Sequence, residues 1–330
     1  MSTLKRRGIT ALASVAIAAL ALTGCSSSSE PAAEQPETTP EAVAEFPRTV
    51  TDMAGNEVTI ESADSVIVTD NRLFQLVSDW GVDLSAAPRA LMSANNPLAT
   101  DESILDLGTH GEPDFEKVVE ADPDLIINGY RYQSHAEDMQ KAAPDAAFVD
   151  MTNDELGVDE YLVESVTLLG EIFDKQDEAE AVIDDFHTAV DDAKAAYDPE
   201  VTVMGLVTSG NEIRYSNPND GRGASIFFSL VGLTPALDAS GSENHQGDDI
   251  SIEAIAEANA DFFLVLDREA AFADSESSPA LELINSSTAL ANVPAVQNQA
   301  IYVMPADFYL TEDIVTYTTV LNELAEAFKA

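Results

Sequence analysis

The sequence predicts an α/β protein of two lobes joined by a long, kinked helix, with a ligand cleft between the lobes. Three observations carry this. Segments with strand and helix periodicity alternate on both sides of a long helical stretch. That stretch, Asp159 to Tyr197, holds no proline and would span about 58 Å if unbroken. A sixteen-residue helix–turn–strand pattern also occurs once on each side of it. At 330 residues the chain is long enough for two domains with sizeable cores.

The first 25 residues, MSTLKRRGITALASVAIAALALTGC, have a basic start (Lys5, Arg6, Arg7), an apolar run from Ile9 to Leu22 and a small-residue end. This is the pattern of a secretory signal peptide, and the apolar run falls short of the roughly 20 residues that a bilayer span needs. The L-T-G-C ending resembles the lipobox of bacterial lipoproteins. That resemblance implies a signal peptide over 1–24, cleavage before Cys25 and a diacylglycerol on its sulfur, so that the mature protein is anchored on the outer face of the cell membrane. Cys25 is the single cysteine, which excludes internal disulfides and Cys-rich metal sites. Residues 25–45 continue as a disordered tether, because SSSSEPAAEQPETTPEAVAE has almost no large apolar residues with which to order itself.

The N-terminal lobe is expected over 46–158. TVTDMAGNEVTI alternates around Ala54, Gly55 and Asn56 as a hairpin does. SVIVT and RLFQLVSDWG then form a strand and an amphipathic helix closed by Gly81, followed by the helix DFEKVVEA and the strands DLIING and AFVDM. The connector occupies 159–198, with Gly170 and the polar FDKQDE expected to bend or break it. The C-terminal lobe, 199–330, resumes the alternation with VTVMGLV, EIRYS, SIFFSLVG, SIEAIAEA, DFFLVLD and IYVMP, and ends in the helix EDIVTYTTVLNELAEAFKA.

The repeated pattern is EKVVEADPDLIINGYR (116–131) and EAIAEANADFFLVLDR (253–268). Each has a short helix opening with Glu, an alanine turn, Asp, a hydrophobic strand and then Arg. Ligands of open α/β sheets bind beyond the carboxyl ends of the strands, where Arg131 and Arg268 fall.

Lys and Arg number 15 against 60 Asp and Glu, a formal charge of −45. Such a field repels phosphate backbones and argues against nucleic acid as a partner. No G-x-S-x-G elbow, H-E-x-x-H helix or phosphate-binding G-x-x-x-x-G-K-[ST] loop is present. The chain therefore reads as a binding module, expected as a monomer without an intrinsic cofactor. The readings of other classes are a surface hydrolase with paired carboxylates and an adhesin lipoprotein.

The few cations are informative. Arg131 and Arg268 end buried strands, Arg222 lies in a glycine-flanked loop, and Arg72 opens a helix directly after a strand. A planar guanidinium fork suits anionic oxygens and aromatic faces, so arginines gathered in a cleft mark a flat, oxygen-rich anion. The alternative is that each pairs with a nearby carboxylate at the surface. His245, in GSENHQGDDIS, and Tyr309, in DFYLT, are loop residues able to meet such a ligand or simply to pack. His110, His135 and His187 have no particular pattern.

Taken together, RTVTDMAGNEVTI, PDFEKVVEADPDLII, the long connector, GRGASIFFSLVG, and FLVLDR followed by FYL resemble the substrate-binding lipoproteins of iron-uptake ABC transporters, the periplasmic-binding-protein class with a helical backbone. Within that class the chain is most similar to receptors for catecholate siderophores, including enterobactin fragments and petrobactin-like ligands. Here NPNDGRGAS, NHQG and Phe308–Tyr309 stand where the family more often has G-S-R-F-G, T-H-G and a Trp-Tyr pair. The resemblance implies that Arg131, Arg222 and Arg268 surround a ferric catecholate, and that His245 and Tyr309 complete the coordination of Fe(III) when the siderophore supplies only four oxygens. It also implies that Glu116 and Glu253 dock on arginines of the membrane permease that receives the ferric siderophore. Haem, cobalamin and hydroxamate siderophores are the alternative ligands within the same fold; the last are electrically neutral and suit an arginine triad less.

Overall fold

The computed structural model describes residues 45–242, 244–272 and 275–329. The signal peptide, Cys25 and all but the last residue of the tether lie outside them.

The N-terminal lobe opens with an antiparallel hairpin, β1 (Arg48–Thr51) and β2 (Glu57–Ile60). Its turn closes through Asp52, whose side chain accepts the Asn56 amide at 2.7 Å. Then follow β3 (Val66–Val68), α1 (Phe74–Asp79), β4 (Ala86–Ala87), β5 (Leu105–Asp106), a short ribbon of β6 (Gly108–Thr109) and β7 (Glu112–Pro113), α2 (Phe115–Ala121), β8 (Leu125–Asn128), α3 (Ala136–Ala142) and β9 (Ala147–Asp150). The main sheet is parallel, in the order β5-β4-β3-β8-β9. Alternation along β3 sends Val66 and Val68 into one core and Ile67 into another, as a sheet covered on both faces requires.

The connector is two helices, α4 (Val158–Phe173) and α5 (Gln176–Ala196). The break is Asp174, which sits in the left-handed region at φ 60°. Gly170, expected from the sequence to help bend the helix, lies inside α4 and does something else. A Cβ there would stand 2.8 Å from that of Ala179, so the glycine lets α5 pack closely on α4.

The C-terminal lobe contains β10 (Thr202–Ser209), β11 (Glu212–Ser216), a single turn α6 (Ser225–Phe227), β12 (Thr234–Pro235), α7 (Ile252–Ala258), β13 (Phe262–Asp267), α8 (Ala280–Ser286), α9 (Pro294–Gln297), β14 (Ile301–Val303), α10 (Phe308–Thr311) and α11 (Ile314–Ala327). Its sheet runs β11-β10-β13-β14, with β12 also on β10; β11 is the antiparallel member. Helix α11 lies along α5. One apolar core runs without interruption from Leu76 and Tyr132 in the first lobe, through Leu169 and Phe186 of the connector, to Phe227, Leu264 and Leu324 in the second.

The repeated sequence pattern is a repeated structure. Helices α2 and α7 have seven residues each, are capped by Asp114 and Ser251, and end in left-handed Asp122 and Asn259. The strand pairs also match: Val66 faces Leu125 as Val203 faces Phe262. Ser65 N–H donates to Asp124 at 3.1 Å, and Thr202 N–H donates to Asp261 at 3.0 Å. Every one of these correspondences keeps the sequence separation that relates Arg131 to Arg268.

Candidate functional site

Arg131 follows β8 and lies in the turn Tyr130–His135, Arg222 lies in the loop between β11 and α6, and Arg268 directly follows β13. These three come from both lobes, and the fold brings them together. Their guanidinium carbons lie 5.1, 4.9 and 4.9 Å from the ring centre of Tyr309, within the range of a cation–aromatic contact. Tyr309 is buried in α10, and its carbonyl accepts a hydrogen bond from Arg131 Nη2 at 2.8 Å across the lobes.

Two features of the sequence order make this possible. Gly129 is extended, and a Cβ on it would lie 2.5 Å from Asp70 Oδ2; only glycine lets the chain turn there. Gly223, at φ +83°, would drive a Cβ to 2.9 Å from Leu266 Cδ2, so glycine is needed to seat the Arg222 loop on β13.

Carboxylates partly neutralise the cluster. Glu312 grips Arg222 with both oxygens, Arg222 Nε donating to Oε1 at 2.9 Å and Nη2 to Oε2. Arg131 Nη2 stands 3.7 Å from the same Oε2, and the Tyr130 hydroxyl donates to it at 3.0 Å. Arg268 Nη1 donates to its neighbour Glu269 at 2.7 Å. Arg131 Nε and Arg268 Nε are buried without a partner among the described residues. Among the described residues the three guanidinium groups and two carboxylates leave one net positive charge, with donor capacity unused, in an otherwise acidic protein.

Tyr130 ties the cluster to a second stack. Its residue is held at φ 43°, an uncommon conformation for a bulky side chain that is kept only where surroundings enforce it. The enforcement comes from Arg72, whose guanidinium carbon lies 3.9 Å from the Tyr130 ring centre and 3.5 Å from that of Tyr161. Arg72 is held by two hydrogen bonds to fully buried Asp70, which also accepts the Tyr161 hydroxyl at 2.5 Å. Burial, and next the Glu312 carboxylate, raise the Tyr130 phenol's pKa, so it stays protonated and keeps donating.

The sequence pointed to Arg72 but not to this sandwich, and it missed Tyr130, Glu312 and Phe272. The exposed Phe272 ring packs against Tyr309 at 5.9 Å and Arg268 at 5.5 Å. An aromatic flanking each strand-end arginine, Tyr130 before Arg131 and Phe272 after Arg268, is the signal that was available.

His245 is exposed in its loop, and its pKa is lowered by partial burial and then by the positive charges of Arg268, Arg222 and Arg131. His110 is lowered by partial burial, Arg131 and His135. Both imidazoles are thereby biased toward the neutral form. The Tyr309 hydroxyl has no hydrogen-bond partner among the described residues. No group of three or more His, Cys, Asp or Glu among the described residues is placed to hold a metal ion.

Tyr130, Arg222 and Glu312 also line a cavity of about 660 Å³, together with Asp159, Asn219 and Tyr317. A cavity of about 510 Å³ along α4 and α5, beside His187, contains no arginine. Glu116 and Glu253 are exposed at equivalent first-turn positions of α2 and α7, away from the cluster in sequence.

The pattern of two lobes, helical connector and interlobe arginines has a counterpart among known proteins. A family model described as periplasmic binding protein matches residues 66–308. The chain belongs to that family. This is a family of binding proteins, not of enzymes. Among relatives of this periplasmic binding protein, the petrobactin-binding protein YclQ of Bacillus subtilis is 27% identical over 254 residues, 74% of this chain and 76% of YclQ. The ferric-anguibactin-binding protein FatB of Vibrio anguillarum is 26% identical over 231 residues, 69% and 70% of the two chains. The crystal structure of YclQ superposes with a TM-score of 0.74 at 23% identity, covering 87% of this chain and all of that one. The periplasmic catecholate-siderophore binding protein VctP of Vibrio cholerae gives 0.68 at 19% identity, covering 84% and 98%. At these identities the structural likeness shows the fold alone. No helix among the described residues is long and apolar enough to cross a membrane.

Proposed function

We propose that this protein is an extracytoplasmic receptor, lipid-anchored through Cys25, that binds a ferric siderophore of catecholate type and delivers it to the permease of an ABC importer. The observation that carries the reading is the convergence of Arg131, Arg222 and Arg268 on the ring of Tyr309. Guanidinium forks around an aromatic face suit a flat anionic chelate, which offers oxygens to the donors and rings to Tyr309 and Phe272. Relatives named for petrobactin and ferric anguibactin support an iron chelate as cargo.

In this reading the arginines hold the oxygens of the chelate. His245, whose pKa is lowered by partial burial and the arginines' charge, and the unpartnered phenol of Tyr309 serve as protein ligands to Fe(III) when the siderophore leaves positions open; a hard ferric ion accepts phenolate oxygen and imidazole nitrogen. Glu116 and Glu253, exposed on equivalent helices of the two lobes, contact the permease. The test is to titrate residues 46–330 with ferric catecholates, ferric hydroxamates, haem and cobalamin while following intrinsic fluorescence. Saturable quenching by ferric catecholates at lower concentration than by the other three is expected. Tighter binding of haem, cobalamin or a neutral hydroxamate would overturn the catecholate assignment.

A further inference from the structure

Glu312 is out of place in a pocket for an anion. It is one of 60 acidic residues, yet it is only 6% exposed and is aimed at the arginines. Three groups hold it there: Arg222 by a two-pronged ion pair, Arg131 at 3.7 Å and the Tyr130 hydroxyl at 3.0 Å. Its backbone is equally fixed. Glu312 occupies the left-handed junction between α10 and α11 at φ 44°, its N–H donating to Phe308 O at 3.1 Å. A carboxylate so restrained is part of the site.

We propose that Glu312 is a built-in counter-anion that takes one seat of the arginine cluster and thereby sets the ligand charge the site prefers, favouring a mono-anionic ferric chelate over a trianionic one. The inference rests on the ferric-chelate reading above and adds a specificity-determining residue to it. The balance of attraction and desolvation explains the direction. With Glu312 and Glu269 in place the three guanidinium groups leave a single net positive charge; its attraction grows in proportion to the ligand's charge, whereas the cost of desolvating the ligand grows as the square of that charge, so a weakly positive site favours the mono-anion. Removing the Glu312 charge leaves two. Fe(III) held by two dianionic catecholates is a mono-anion with coordination positions free, whereas Fe(III) held by three is a trianion with none.

For a unit charge about 8 Å from the iron and an effective dielectric constant of about 40, between protein interior and water, the effect is roughly fivefold in affinity per ligand charge. The trianion carries two more charges than the mono-anion, so the ratio of their affinities should move by about 30-fold.

The experiment compares wild type, Glu312→Gln and Glu312→Asp with three ferric probes: a tetradentate bis-catecholamide, a hexadentate tris-catecholamide made of the same units, and a neutral tris-hydroxamate. Wild type should bind the mono-anion at least as tightly as the trianion. Glu312→Gln, which can still accept from Tyr130, should shift the ratio about 30-fold toward the trianion, while Glu312→Asp keeps the wild-type ratio. A shift of less than threefold in a folded Glu312→Gln protein would overturn the inference while leaving the siderophore reading intact. So would a wild-type preference of more than tenfold for the trianion, a result that does not depend on any variant folding. If wild type binds none of the ferric probes, the siderophore reading itself fails and takes this inference with it.

Discussion

Replacing Arg268 with alanine separates a binding role from a structural one. Among the described residues its guanidinium makes one ion pair, to adjacent Glu269 at 2.7 Å, and stands over Tyr309 and Phe272. Both partners of the ion pair are about one-fifth exposed, 18% and 20%, so water already screens the interaction. Loss of the pair and the ring contacts together should lower unfolding free energy by no more than about 1.5 kcal/mol. A hydrogen bond to a charged ligand contributes about 1.5 to 3 kcal/mol, which corresponds to a rise in Kd of about 10- to 150-fold. The assay is a fluorescence titration with several ferric catecholates, paired with urea unfolding of the same preparations. A Kd within threefold of wild type for all of them would refute the reasoning. So would a loss of binding matched by an equally large loss of stability.

Other consequences are equally concrete. Gly129→Ala should destabilise by about 1–3 kcal/mol in urea unfolding, because the new Cβ would lie 2.5 Å from Asp70 Oδ2 and 2.8 Å from Met151 Cβ; it should weaken ligand binding too, since Tyr130 moves with the turn. Burial pushes the carboxyl of Asp313, the N-cap of α11, up to about 6, against the hydrogen bond from Thr316 N–H that pulls it down. The folded protein therefore binds this proton more tightly than the unfolded chain, and the contribution of Asp313 to stability is present below pH 4 and lost as pH rises through 6. Asp313→Asn keeps a cap acceptor, so urea unfolding should show it stabilised by about 1–3 kcal/mol at pH 7.5, with the gain vanishing toward pH 4. Charge reversal of both Glu116 and Glu253 should abolish uptake in cells while leaving the Kd for the ferric ligand unchanged; retained uptake would remove these residues from the docking role.

The lobes were legible in the sequence because their signals are local. Strands such as Leu125–Asn128 and Phe262–Asp267 are continuous apolar runs bounded by helix caps, and the Asp114 and Ser251 caps mark the starts of equivalent helices. The break in the connector was legible only to within a few residues. Asp174 adopts the left-handed conformation in a helix end that an aspartate does not announce, while Gly170, the more obvious breaker, is a contact point between helices.

In the site, arginines stood out because they are rare among so many acids, and the strand-end placement of Arg131 and Arg268 was readable. Glu312 was not. Nothing local distinguishes it from the other carboxylates, and its importance comes from Arg222, 90 positions earlier, and Tyr130, 182 positions earlier. Arg72 shows the same limit: its position between a strand and a helix was visible, although it lies in the turn two residues before α1 rather than opening it, and its place between Tyr130 and Tyr161 depends on two segments meeting only in the folded core.

A crystal structure of residues 46–330 with a ferric catecholate bound tests the central claim most directly. The chelate should lie over the Tyr309 ring, with its oxygens within about 3 Å of nitrogens of Arg131, Arg222 and Arg268. A chelate seated elsewhere, with those arginines still engaged only by Glu312, Glu269 and the Tyr309 carbonyl, would contradict the account.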